Sequence, residues 1–158
     1  MTLETKRSAL LETRMFEDQA VTLEDGQCRL RIDHFALTTN NITYGVFGDM
    51  MRYWEVFPAL DSPEAWGRIP TWGFAEVIES RCDDVPVGER IFGFLPMSAE
   101  TVISPGRIDE RGLSDVAPHR SGLAAPTTAI SGHRPTRPID PIASSTRWCC
   151  SRCSSRVS

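Results

Sequence analysis

The densest run of uncharged polar side chains is Thr38-Thr39-Asn40-Asn41-Ile42-Thr43-Tyr44. Hydroxyls and carboxamides that converge where a strand ends can orient a bound small molecule. Thr39, Asn40, Asn41, Thr43 and Tyr44 are therefore candidate cleft residues, with Trp72 as a candidate apolar wall. Trp54 and Trp66 could line the same cleft, although rings in a small β domain more often serve packing. Cys149, Cys150 and Cys153 form a C-C-x-x-C cluster. Zinc needs four ligands at workable spacing, and only His133 lies near. Cys28 and Cys82 stand alone beside strand-like sequence, as buried thiols do. No metal site is expected. His34 falls on the polar side of a strand, where solvent contact or a hydrogen bond competes with catalysis. His119 follows Pro118 and reads as structural. Gly45-Val46-Phe47-Gly48 lacks the G-x-G-x-x-G spacing that cradles a pyrophosphate at a helix start. No cofactor is expected to bind this chain.

The elements that must position these residues are mostly strands. Cys28, Leu30 and Ile32 alternate with Arg29, Arg31 and Asp33, which predicts a half-buried strand over 27–37. Asp25-Gly26 is a turn signal, so a hairpin with residues 20–23 is plausible. Asn40 or Asn41 is expected to cap a short helix running through Met50 to Trp54, weakened by Gly45 and Gly48. Pro58, Pro63, Gly67 and Pro70 mark a surface loop over 58–70. Residues 72–80, 90–95 and 100–104 read as strands, the last closed by Pro105-Gly106. Gly88 supplies a positive φ to the turn between the first two of these. Residues 8–18 are mixed. Asp83-Asp84 and Asp109-Glu110-Arg111 read as solvated loops.

The chain has 158 residues, enough for one domain with a real core. A formal charge of −4 gives no reason to expect nucleic acid or an acidic membrane surface as a partner. The first twenty residues lack the apolar core of a signal peptide. No apolar run approaches the roughly 18 residues of a spanning helix. A cytoplasmic location is the expectation. Composition changes near Pro126. Residues 1–125 carry a net charge of −8, and residues 126–158 a net of +4 with four prolines and seven serines. The domain is accordingly expected over 1–125, with 126–158 a disordered coil. The chain holds 16 arginines and one lysine, which suggests a GC-rich gene. Off-frame reading of such DNA yields Arg, Pro, Ser, Cys and Trp, the residues of this tail. One frame away, the codons of Trp148 to Ser155 would mostly encode apolar residues. The tail is therefore expected to be a frameshift product, with a natural disordered tail as the alternative.

The stretch Trp72-Gly73-Phe74-Ala75-Glu76-Val77, followed by Val85-Pro86-Val87-Gly88-Glu89-Arg90-Ile91-Phe92-Gly93-Phe94, resembles the N-terminal, GroES-like domain of the medium-chain dehydrogenase/reductase superfamily. The resemblance covers about residues 20–120. It implies a mainly β (α+β) fold, a partly open β-barrel with short helices. In zinc-dependent members a cysteine ligand stands where this chain has Thr38 and Thr39. Histidine and glutamate stand where it has Trp72 and Gly73. The resemblance therefore implies the zinc-free branch. The wording Thr38 to Tyr44 with Phe47-Gly48-Asp49-Met50-Met51-Arg52-Tyr53-Trp54 is most similar to an uncharacterised medium-chain-like family, known only as a domain of unknown function.

Two functional readings follow. In the first, the chain is the truncated substrate-side domain of a two-domain oxidoreductase. NADP would then bind a following domain of the full-length parent, which would also take a small-molecule carbonyl or alkene substrate. The chain alone would be inactive, and its bare domain face would favour self-association. In the second, it is a free-standing, non-enzymatic β-barrel acting as a binding or co-chaperone-like module.

Overall fold

A computed structural model describes residues 1–17, 21–109 and 112–123, and the backbone of 129–133. The chain is mainly β, as expected. Strands β1 (Thr2–Lys6), β2 (Ala9–Phe16) and β4 (Trp66–Gly67) form one sheet in the order β2-β1-β4. The second sheet has the order β7-β3-β5-β6-β10-β9-β8. Its strands are β3 (Cys28–Ala36), β5 (Pro70–Ser80), β6 (Arg90–Pro96), β7 (Glu100–Ile103), β8 (Pro105–Asp109), β9 (Gly112–Asp115) and β10 (Ala129–His133). Every described pairing is antiparallel. Among the described residues both sheets are open, with β7 and β8 at the edges of the larger one.

The alternation in β3 does what its sequence requires. Cys28 and Leu30 are fully buried, and Ile32 packs against the same cluster as Ala75, Val77, Ile91 and Leu95. The register slips between Ile32 and His34, so Asp33 is the extra residue of a bulge. The turn into β6 also forms as expected. Gly88 sits at φ +89, and its N–H donates to Val77 O at 2.8 Å. Cys28 is buried against Ser80, Sγ to Oγ 3.2 Å, and burial pushes its thiol pKa up.

Several expectations need correction. Asp25-Gly26 does turn, with Gly26 at φ +82, but residues 21–24 form no strand, so the described residues contain no hairpin there. Leu23 is buried there without a ladder. The helix α1 spans Thr39–Val46 and stops well short of Trp54. Thr38, not Asn40 or Asn41, is its N-cap. Asn41 sits one turn in and accepts from the Thr38 backbone N–H at 2.6 Å. A separate 3-10 turn holds Tyr53–Glu55. β7 ends before Pro105-Gly106, and these two residues also begin a further strand, β8. Strand β10 lies beyond the composition change at residue 126 and pairs with both β6 and β9. The remaining tail and its cysteine cluster lie outside the described residues.

The 58–70 segment is more than a surface loop. It carries β4, and Gly67 and Gly48 flank the indole of Trp54. A Cβ on either glycine would fall well inside van der Waals contact with that ring. Trp54 is 4 % exposed, and its indole N–H has no partner among the described residues. The ring is therefore held by packing. Two buried carboxylates tie the sheets and turns together. Glu4 is fully buried and accepts from Arg14 Nε at 2.8 Å and from Leu60 N at 2.9 Å. Asp115 accepts from Ser104 N and Ala117 N, and its other oxygen is 3.1 Å from Arg120 Nε.

Candidate functional site

In the middle of β5 and β6 the small residues turn inward and three large rings turn out. Gly73, Ala75 and Gly93 point inward, while Trp72 (37 % exposed), Phe74 (47 %) and Phe92 (37 %) point out. Period-two alternation places these rings on one face. The register aligns them in rows across three strands. Ala36, Trp72 and Phe94 form one row, and His34, Phe74 and Phe92 the next. Arg31, Glu76 and Arg90 form the third. Successive rows lie about 7 Å apart along the strands.

The rings touch in sequence. Phe74 and Phe92 have centroids 4.8 Å apart, and Phe92 stacks on Trp72 at 5.6 Å. Trp72 meets the edge of Phe94 at 4.6 Å, Phe94 meets Tyr44 at 5.4 Å, and Tyr44 meets Tyr53 at 4.7 Å. One end of this wall is open to solvent. The other end, at Phe94, is buried with Val56 and Phe57. The open end is bordered by two ion pairs, Arg31 to Glu76 at 2.6 Å and Arg90 to Asp33 at 2.9 Å.

The candidate residues lie in different places. Tyr44 and Trp72 are brought together through their shared contact with Phe94. Asn40 is exposed one helical turn before Tyr44, on the same flank of α1. Asn41 is buried, and its amide donates to Pro70 O at 2.9 Å, so it fastens α1 to β5 and is closed to a ligand. Thr39 and Thr43 are exposed on the stripe of α1 opposite buried Asn41 and Gly45. They face away from the strand that α1 packs on. His34 is exposed in the row of Phe74 and Phe92.

Phe74, Phe92 and Phe94 were not singled out from sequence as site residues. Their signal was available: large aromatic residues alternate with Gly73, Ala75 and Gly93. Trp54 is buried packing, and Trp66 lies under the guanidinium of Arg14, whose Cζ is 4.3 Å from its ring centroid.

Neither metal nor dinucleotide has an evident seat here. Among the described residues, no three His, Cys, Asp or Glu side chains come together as metal ligands. The only described α-helix is α1, whose N-terminus is closed by Thr38 and Asn41 and preceded by no glycine. A pyrophosphate needs free N–H groups at a glycine-rich helix start, so the residues present do not fit one.

His119 borders the buried end of the wall and hydrogen-bonds with the Val56 backbone. Partial burial, then the Arg120 cation, hold its pKa below the ordinary histidine value. A depressed histidine contributes stability above its unfolded pKa and loses it as pH falls through the folded one. The denaturant midpoint is therefore expected to fall between about pH 7.5 and about pH 5, and to fall less in His119→Gln. An identical fall in the variant would remove His119 from the account.

A family model described as "Protein of unknown function (DUF2855)" matches residues 35–137, more than half of the chain. The matched range holds α1, the aromatic wall and β10, and it too passes the composition change at residue 126. No curated protein matches the chain.

Proposed function

The chain belongs to the DUF2855 family, whose description carries no activity, and we propose that it forms the substrate-side domain of a zinc-independent protein resembling medium-chain dehydrogenase/reductases, with a GroES-like fold. The observation that carries this reading is the solvent-open wall of Trp72, Phe74 and Phe92. Contiguous exposed rings of this kind mark a surface that something covers. Trp72 stands where zinc-dependent members of the resembled superfamily carry a metal ligand. An apolar wall there suits an uncharged substrate held against a nicotinamide supplied from elsewhere. Asn40, beside Tyr44 at the helix flank, is the polar residue best placed to orient it.

In this reading the cofactor belongs to a domain beyond the described residues. On this reading the frame is lost after β10, past codon 133 and later than the composition change alone suggests; the pairing of β10 with both β6 and β9 supports that position. Left bare, the aromatic face favours association between copies.

NADPH is expected not to bind this chain and to bind a longer one read in the alternative frame after codon 133. Titration of NADPH fluorescence against both checks this. Tight binding by the present chain would overturn the reading. Binding by neither would leave a free-standing β module as the better account.

A further inference from the structure

We infer that the aromatic wall takes a flat aryl ring bearing a single carboxylate. This rests on the reading above that the wall lines a ligand site, and it names the ligand class. Phe74, Phe92 and Trp72 span two centroid steps of 4.8 Å and 5.6 Å, long enough for a fused two-ring system to lie along them. Offset stacking on such a row favours planar conjugated ligands over saturated ones.

The polarity comes from the next row. Glu76 is two residues from Phe74 on the same face, Arg90 is two residues from Phe92, and Arg31 lies opposite Glu76. The cations are the outer members of both ion pairs. Arg31 and Arg90 side chains are 55 % and 38 % exposed, against 33 % for Glu76 and 18 % for Asp33. Each guanidinium has five N–H donors, and one of its terminal nitrogens faces its carboxylate partner. Among the described residues, the other donors can reach a carboxylate about one row, or 7 Å, from the Phe74–Phe92 pair. His34, beside Phe74, adds a hydrogen-bonding edge to the same end.

The test compares 2-naphthoate, 2-naphthalenemethanol and 2-naphthylmethylammonium by calorimetry, with backbone amide shifts to locate them. All three are expected to shift Gly73 and Gly93. Naphthoate is expected to bind about fivefold or more tighter than the alcohol at low salt, and the ammonium more weakly than either. Arg31→Gln with Arg90→Gln should reduce naphthoate to the affinity of the alcohol and leave the alcohol unchanged. Arg31→Lys with Arg90→Lys, which keeps the charge, should retain part of the preference and guards against a folding defect. Phe92→Ala should weaken all three probes. Equal affinities for naphthoate and alcohol would overturn the carboxylate inference while leaving the wall as a ligand site. No shift at Gly73 or Gly93 with any probe would overturn both.

Discussion

Arg120→Ala is expected to lower the unfolding free energy by about 3–5 kcal/mol, the usual cost of stranding one member of a buried ion pair. Arg120 is 4 % exposed and Asp115 is 2 % exposed. Without the guanidinium, the Asp115 carboxylate would keep, among the described residues, only the N–H groups of Ser104 and Ala117. The variant also loses the cation that lies 4.4 Å from the ring centroid of Phe57. Phe57 packs with Val56 and Phe94, so the loss reaches the buried end of the aromatic wall. Adding Asp115→Asn should recover part of the stability, because the amide oxygen still accepts from both N–H groups and no charge is left buried. Urea unfolding of the two variants checks both statements. A loss below about 1 kcal/mol for Arg120→Ala would mean that water or a neighbouring group replaces the guanidinium.

Gly67→Ala and Gly48→Ala are each expected to cost at least about 2 kcal/mol, because neither methyl can be seated without moving Trp54. The indole has nowhere near to go. It is closed in by both glycines and makes no hydrogen bond among the described residues that could hold it in a new place. Displacement toward water should also shift tryptophan emission to the red. Gly88→Ala is the contrasting case. Its Cβ would meet open space, but φ is +89, so the cost is backbone strain of roughly 1 kcal/mol with no change in emission. Equal stability of Gly67→Ala and wild type would show that the indole moves freely.

Four strands of the larger sheet were the legible part of the sequence, and β8, β9 and β10 were not. β3, β5, β6 and β7 all contain the apolar alternation or turn chemistry that marks them. The N-terminal hairpin was not legible, for a physical reason. Its inward positions include Glu4, a charge no hydrophobic pattern would place in a core, and only Arg14 and the Leu60 N–H make that burial tolerable. Helix α1 was found in place but capped two or three residues too late and run too long. Thr38 and Asn41 can each serve as a cap by residue type, and only the backbone decides between them. The aromatic wall was harder still. In β5 both faces are apolar, so alternation alone cannot say whether Trp72 and Phe74 or Gly73 and Ala75 face inward. Size suggests the rings, and the structure chooses the small residues, because Gly73 lies against the backbone of His34. Of the site candidates, Tyr44 and Trp72 meet a common ring, whereas Asn41 is committed to the helix cap. Its reach to Pro70 O is a tertiary contact that local sequence does not carry.

Strand β10 has a consequence for how the protein is made. It is the last described strand in sequence and lies between β6 and the β9–β8 hairpin. During synthesis, Arg90–Pro96 leave the ribosome long before Ala129–His133. Through that interval β6 presents a bare strand edge beside the exposed ring of Phe92. Bare apolar edges recruit other strands. The β8–β9 hairpin meanwhile has no neighbour in the sheet to dock on. The nascent chain is therefore most vulnerable to aggregation late in its synthesis, and a chaperone that shields β6 would act in that window.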